Sequence, residues 1–405
     1  MKSFSLWHYK HPFIATSLLL LLAFVLAACS GIGGGNSGSS TPTAGSTPGA
    51  TATGNTTPTT STTPVVRLGA QPCPDAVKDS AHWTAIIAPT TTSKVESVSC
   101  GNLKGIPSLQ TLVTVRHDGT GAILDVYVYD RIIDPSPVQL FKLQNLTRGS
   151  VKISGYNTVM TAEVDPNSSI NAGQPDANLT QDLFREFKWS DAAGTLVPVA
   201  FPGFFPDLTR YQAEADQAQV NQGHQPWKLS ATLTAQALAA SQSLLKWDPN
   251  APATIVSGGG THDINAVVNV KSGKPAGGAI TVTMSRLEQN SNGGIWEVTS
   301  VTTASMSITA PQDRDRLASP VTVTGTGNAF EGIIGKVIVL DHLYTNIGQS
   351  VAKGATGNGH TTFSSSVTYH STFKTGMQEG VVVLYSYSNA DSSIAGAVMV
   401  KEMLN

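Results

Sequence analysis

Three thiols, a few carboxylates and a few imidazoles are the side chains here whose type and spacing can do chemistry. Cys29 follows Leu26-Ala27-Ala28 at the end of an apolar run. Small residues before a cut fit a peptidase groove, and a cysteine just after it supplies a thiol that can carry a diacylglyceryl group. Cys29 is therefore read as a lipidation site. Cys73 and Cys100 remain, not spaced as Cys-x-x-Cys. Outside the cytosol such a pair is expected to form a structural disulfide.

The other constellations are weaker. Gly258-Gly259-Gly260 precedes His262-Asp263, but neighbours on a strand point to opposite faces, so a turn with surface polar groups is expected. The same geometry separates Asp341 from His342. Asp313-Arg314-Asp315-Arg316 lacks the further carboxylates of a calcium loop and reads as a solvated loop. Asp207, Glu214 and Asp216 lie on or just before one helix, and a spacing of two cannot bring Glu214 and Asp216 to one face. A paired-carboxylate hydrolase site would need a partner from elsewhere in the fold. No Gly-x-Ser-x-Gly, His-Glu-x-x-His, P-loop or dinucleotide fingerprint occurs. The expectation is a chain with no catalytic, metal or cofactor-binding residues and no cofactor.

The elements around Cys29 give it its setting. Lys2, His8, Lys10 and His11 make a weakly basic start, followed by an apolar run from Ile14 to Leu26. A spanning helix needs roughly 20 apolar residues, so this shorter run reads as the h-region of a signal peptide. Leu26-Ala27-Ala28-Cys29 resembles the lipobox of bacterial lipoproteins in all four positions. The resemblance implies attachment to the outer, extracytoplasmic face of a cell membrane through lipid on Cys29. From Ser30 to Pro64 the chain is rich in Gly, Ser, Thr, Pro and Ala, with no charged residue before Arg67. Such a segment cannot recover its ordering entropy and is expected to act as a disordered tether with a reach of roughly 30–35 Å.

The 405 residues carry a net charge of −2 and only 13% charged side chains, with no basic cluster. Nucleic acid is not an expected partner. Residues 66–200 read as β-rich. Strands are expected at His82 to Ile87, Leu109 to Arg116, Leu124 to Tyr129, Val151 to Ile153 and Thr158 to Val164. Residues 201–307 read as two helices and four strands. Phe201 to Phe205 forms a turn expected to pack under the next helix, and Asp207 is the expected cap of a helix to about Asn221. A second helix is expected from Ser230 to Trp247, with Leu233, Ala237, Ala240, Leu244 and Trp247 on one face. Strands follow at Thr254 to Val256, Ile264 to Val270, Ile280 to Met284 and Ile295 to Val301. The order of these elements is similar to that of the cone-shaped nuclear-transport-factor-like folds.

In residues 308–405, Ile308-Thr309-Ala310-Pro311 is followed by Ser319 to Gly325, Phe330-Glu331-Gly332, Val337 to Asp341, Gly380 to Ser388 and Val398-Met399-Val400. This ordered set resembles the immunoglobulin-like domain of bacterial spore-germination and related envelope lipoproteins, with no germination-type domain recognisable upstream. About seven short strands separated by Gly, Asn, Asp and Ser turns also read as a β-sandwich. The Ile-x-x-Pro start suits an edge strand.

The expected architecture is thus multidomain and mainly β. It comprises a signal peptide (1–28), a tether (29–65), a β-rich domain with the disulfide (66–200), an α+β domain (201–307) and an immunoglobulin-like β-sandwich (308–405). The expected role is a non-catalytic, lipid-anchored binding or spacer module of the bacterial envelope, its partner an envelope protein or wall polymer. The alternatives are an envelope hydrolase sited in 201–307, or a small-ligand or lipid carrier. The carrier's pocket would be lined by Trp227, Leu244, Trp247 and Trp296.

Overall fold

The structure is a computed structural model that describes residues 68–274, 277–289, 293–355 and 357–405. Cys29, the leader and the tether lie outside the described residues. Residues 63–405 form one compact unit, built mainly from antiparallel sheets.

The first sheet is β1 (Ala70–Gln71), β2 (Ser93–Gly101), β3 (Gln110–His117), β4 (Leu124–Asp130) and β5 (Val138–Leu146), paired in that order. A second sheet follows in the same manner, β6 (Ser150–Ile153), β7 (Val159–Glu163), β8 (Leu183–Ser190) and β9 (Thr195–Val199). Leu112, Val126, Val128, Phe141, Val159, Phe187 and their neighbours fill the layer shared by the two sheets. The other face of β3 and β4 packs on Trp83 and Val77 through Val113, Val115, Tyr127 and Tyr129.

Trp83 belongs to a helix, not the strand expected at His82 to Ile87. This is α1 (Ser80–Ile87), whose N-cap Asp79 accepts a hydrogen bond from the Ala81 amide. The apolar residues of so short a run fit either period, and the cap decides. Cys73 and Cys100 form a disulfide, with 27 residues of separation, that ties the segment before α1 to β2.

The next helix is α2 (Arg210–Asn221). Its cap is Thr209 rather than Asp207: Thr209 and Gln212 make a reciprocal capping box. Asp207 is buried elsewhere, as described below. The following helix, α3 (Ala231–Ala240), is capped by Ser230 and stops well short of Trp247. Its buried face is Ala231, Thr234, Ala235, Leu238 and Ala239, while Leu233 is 46% exposed. Leu244, Leu245 and Trp247 still enter the core, but from turns, with Lys246 in a left-handed conformation at φ 57°.

Four strands follow, β10 (Ala253–Gly258), β11 (Asn265–Lys271), β12 (Ala279–Ser285) and β13 (Glu297–Thr302). They do not close a separate cone. The remaining strands are β14 (Met306–Ala310), β15 (Asp315–Leu317), β16 (Val321–Ala329), β17 (Ile333–Leu340), β18 (Asn346–Lys353), β19 (Gly359–Val367), β20 (Gln378–Tyr387) and β21 (Ile394–Leu404). One nine-stranded sheet runs β10-β11-β12-β13-β21-β20-β17-β18, with β15 added in parallel to β21. A three-stranded sheet, β14-β16-β19, covers half of it. Residue 307 and residue 308 both lie within β14, which is an edge strand followed directly by Pro311.

The large sheet is therefore buried on two sides. Val337, Val339, Val382, Leu384, Val398 and Leu404 face the three-stranded sheet. Ile338, Leu340, Val381, Val383, Ala397 and Met399 face the helical side, together with Leu238, Leu244 and Trp296. Strands covered on both faces need apolar residues at every position, which is why β17 and β20 read as unbroken Val, Ile and Leu runs.

Replacing Cys73 and Cys100 together by Ser is expected to cost about 3.5 kcal/mol through the lost restraint on the unfolded chain. Urea unfolding of the parent and of the double variant, both under non-reducing conditions, checks this. Equal stabilities would contradict it.

Candidate functional site

The segment between β9 and α2 is where the three parts of the compact unit meet. Phe201 and Phe204 are fully buried, so the aromatic turn is packing and not an exposed patch. The Phe201 amide donates to Glu379 Oε2 at 2.9 Å. The Lys401 ammonium donates to the carbonyls of Gly203, at 3.2 Å, and of Leu208, and it pairs with Glu379 at 2.8 Å. Phe204 and Phe205 exchange backbone hydrogen bonds with Val298, at 2.9 and 2.6 Å, and the Tyr344 hydroxyl donates to the Phe204 carbonyl. Gly203 leaves no room for a side chain. A Cβ there would sit 2.7 Å from the Phe201 ring and 3.0 Å from Glu297 Cβ.

A second charged group lies beside it. The Lys228 ammonium meets Asp216 and, at 3.8 Å, Asp207, whose backbone amide donates to Glu297 Oε2 at 3.4 Å. Burial and the neighbouring Asp207 hold the Glu297 carboxyl well above the usual carboxylate range. Burial raises Asp207 too, against the pull of Lys228. Arg210, at the start of α2, joins Glu186 of β8 at 2.8 Å and Glu288 at 2.9 Å, and lies over the rings of Tyr156 and Phe201.

Residues 150–190 meet the far end of the large sheet through further buried groups. Arg185 pairs with Glu163 and lies over the Phe373 ring. His342 bridges Gln378 and Asp182, the latter at 3.4 Å, and Thr372 donates to Asp165 at 2.6 Å. Burial disfavours a charged His342 ring, but the hydrogen bond to Asp182 and the nearby Asp341 outweigh it and raise the imidazole pKa.

Most of these ionic groups are buried, although Glu288 and Asp216 reach the surface of the unit. One of the cavities among the described residues, of about 460 Å³, lies on the helical side of the large sheet. It lies where α3 has ended and the chain turns through Ser243 to Trp247. Ile338 and Leu340 of β17, Tyr385 and Tyr387 of β20, and Ile394 make its walls, with Lys246, Lys274 and Asn346 among its polar lining.

Residues 305–393 match the family model of the immunoglobulin-like domain of bacterial spore germination, Gmad2. This part of the chain is an immunoglobulin-like domain of that kind. No curated protein matches the chain. Within the immunoglobulin-like domain lie the sandwich strands β14 to β20 described above, together with Tyr344 and Glu379. Lys401 follows the matched residues, on β21.

The carboxylates singled out in the sequence are dispersed. Asp207 faces Glu297 and Lys228, and Asp216 faces Lys228. Glu214 is apart from both: it accepts from the Gly155 amide at 2.8 Å and meets Lys152 at 3.4 Å. Asp263 accepts from the Gly260 amide within an exposed turn that also carries His262. Asp341 caps the backbone amides of Leu343 and Thr345, while the adjacent His342 ring turns to Asp182 and Gln378. Asp313 pairs with Arg314, and Arg316 donates to the Pro198 carbonyl. Among the described residues no group of three or more His, Cys, Asp or Glu is placed to hold a metal ion. Of the expected carrier pocket, Leu244 and Trp247 line the cavity; Trp296 is buried in the core beside it, and neither Trp296 nor Trp227 is in the lining. Glu297, Glu379 and Lys401 were not singled out from the sequence. The signal for Glu379 and Lys401 was a charged residue beside an apolar run, and Glu297 in Glu297-Val298-Thr299-Ser300 gave none.

Lys401→Met is expected to destabilise by about 3–5 kcal/mol, because Glu379 is left buried without its cation. Adding Glu379→Gln is expected to recover half or more of that loss in urea unfolding. A double variant as unstable as the single one would locate the cost in the Gly203 and Leu208 carbonyls instead.

Glu402, next to Lys401, lies in register with Asp315 and has no salt bridge among the described residues. Burial, with Asp315 and Asp313 nearby, pushes its carboxyl up to about 9, and burial pushes Glu379 up to about 7. Both native values exceed the ordinary 4.5 of an unfolded glutamate, so folding takes up protons in between. Stability should therefore be greatest below the unfolded value and fall as pH rises towards 9. At pH 8, Glu402→Gln is expected to stabilise on the order of a few kcal/mol and to flatten the slope of melting temperature between pH 5 and 8. A variant curve parallel to the parent's counts against this.

Proposed function

We propose that the chain is a non-catalytic, lipid-anchored module of the bacterial envelope. Lipid on Cys29 holds it at the outer face of the membrane, residues 30–64 give it reach, and the compact unit presents the immunoglobulin-like domain as a binding or spacer element. The observation that supports a presenting role is the sharing of one sheet. β21 is hydrogen-bonded to β20 along one edge and meets β13 through Val301 and Met399 on the other. The immunoglobulin-like domain is thereby built into the rest of the unit instead of hanging from it by a linker. A contact made at the far end of the unit is then carried to its base through paired strands. Recognition on such a scaffold falls to loop tips and strand edges. An envelope protein or wall polymer is the partner that this location supplies.

The test is the anchor. In a bacterial host, the parent chain is expected in the membrane fraction, with a diacylglyceryl-modified cysteine at its processed amino terminus by mass spectrometry. Cys29→Ser is expected to move the folded protein out of that fraction. A parent chain that is unmodified, or recovered with the cytosolic proteins, would sink the reading.

A further inference from the structure

We propose that the cavity beside Trp247 is a binding site for a single acyl chain bearing an anionic head group. Its volume, about 460 Å³, falls within the range of small-ligand sites, roughly 300–1,000 Å³. The walls are hydrocarbon: Ile338, Leu340, Leu244 and Ile394, with the rings of Trp247 and Tyr385. Three of the lining aromatic residues already donate to protein carbonyls. Tyr385 donates to Leu244 at 3.2 Å, Trp247 Nε1 donates to Ile394 at 2.8 Å, and Tyr344 donates to Phe204. Their donors are thus spent, and what those residues chiefly offer a ligand is ring surface. A sugar laid over Ile338, Leu340 and the rings would leave hydroxyls unpaired on that side, which is costly, whereas a methylene chain loses nothing there.

The charge complements that choice. Lys274 is held by Asp391 at 2.8 Å. Lys246 is exposed and, among the described residues, makes no ion pair, so one uncompensated cation stands in the lining beside Ser243 and Asn346. The left-handed turn at Lys246 places it between two buried apolar residues, Leu245 and Trp247. A carboxylate or phosphate would rest at Lys246, with its chain running over Ile338 and Leu340.

A free fatty acid and a membrane phospholipid share this chemistry. The experiment uses the full chain carrying Cys29→Ser, so that no lipid of its own competes. Dodecanoate as monomer is titrated calorimetrically, and phosphatidylglycerol vesicles are tested by co-sedimentation. One dodecanoate per chain is expected. Ser243→Trp, at an exposed lining position, is expected to weaken it by about tenfold or more. Lys246→Glu is expected to weaken dodecanoate similarly while leaving dodecanol within about twofold. Asn346→Trp replaces Ser243→Trp if melting shows that variant misfolded. Dodecanoate binding without vesicle binding assigns the free acid as the source; vesicle binding lost in Ser243→Trp, without dodecanoate binding, assigns the membrane. The inference is overturned if neither probe binds tighter than about 1 mM, or if binding is indifferent to both the Trp and the Lys246 substitutions. Displacement of bound dodecanoate by an N-acetylglucosamine oligomer would also overturn it.

Discussion

Lys401 carries an ammonium into a place that water does not reach, and the fold around residues 201–209 is arranged to receive it. Burial lowers its pKa, while the Glu379 carboxylate works to keep it charged. Its remaining donors go to two backbone carbonyls of the segment that connects β9 to α2. A charge so placed tolerates little displacement, because every partner it loses leaves a desolvated ion behind. The connecting segment, β20 and β21 are fixed to one another by that requirement. Geometry then propagates outwards. β21 positions β13 and β20, Val298 positions Phe204, and Arg210 locks the first turn of α2 against Glu186 and Glu288.

Specificity rather than net stabilisation is what such groups supply best. A core of Val, Ile and Leu can slide by a residue or rotate at modest cost, whereas a buried pair has one acceptable register. The molecule places its buried ionic contacts at the junctions, where apolar packing alone would leave relative orientation loosely determined. The interiors of the sheets carry the hydrocarbon. The walls of the cavity on the sheet face are hydrocarbon for the same reason, and Tyr344 stands between it and the ionic junction at Phe204.

The sequence made some of this legible. Alternation in Ile280 to Ser285 marks a strand with one buried face, and β12 has it. The Val runs of β17 and β20 mark strands buried on both faces, and the ordered set from Ile308 to Val400 carried enough information to match a known domain. Helix α1 was misread because Trp83, Ile86 and Ile87 fit a strand as well as a single helical face, and the Asp79 cap was the smaller signal. The turn after α3 was hidden by Leu244 and Trp247, which continue a helical spacing that the backbone abandons at Ala240. The ionic junctions were out of reach for a different reason. Asp207 and Glu297, or Gly203 and Lys401, are brought together only by tertiary pairing, and no local pattern records a partner so distant along the chain.

The position of β21 in the chain has a temporal side. A polypeptide emerging vectorially exposes β10 to β13 early and β17 and β20 later, yet the strand that sits between β13 and β20 comes after all of them. Until β21 arrives, two half-sheets face each other across an empty slot, and Glu379 waits for its cation. Pairings of such long sequence separation are slow to form. Cooperative closure of the large sheet thus waits on β21, whatever has folded before it.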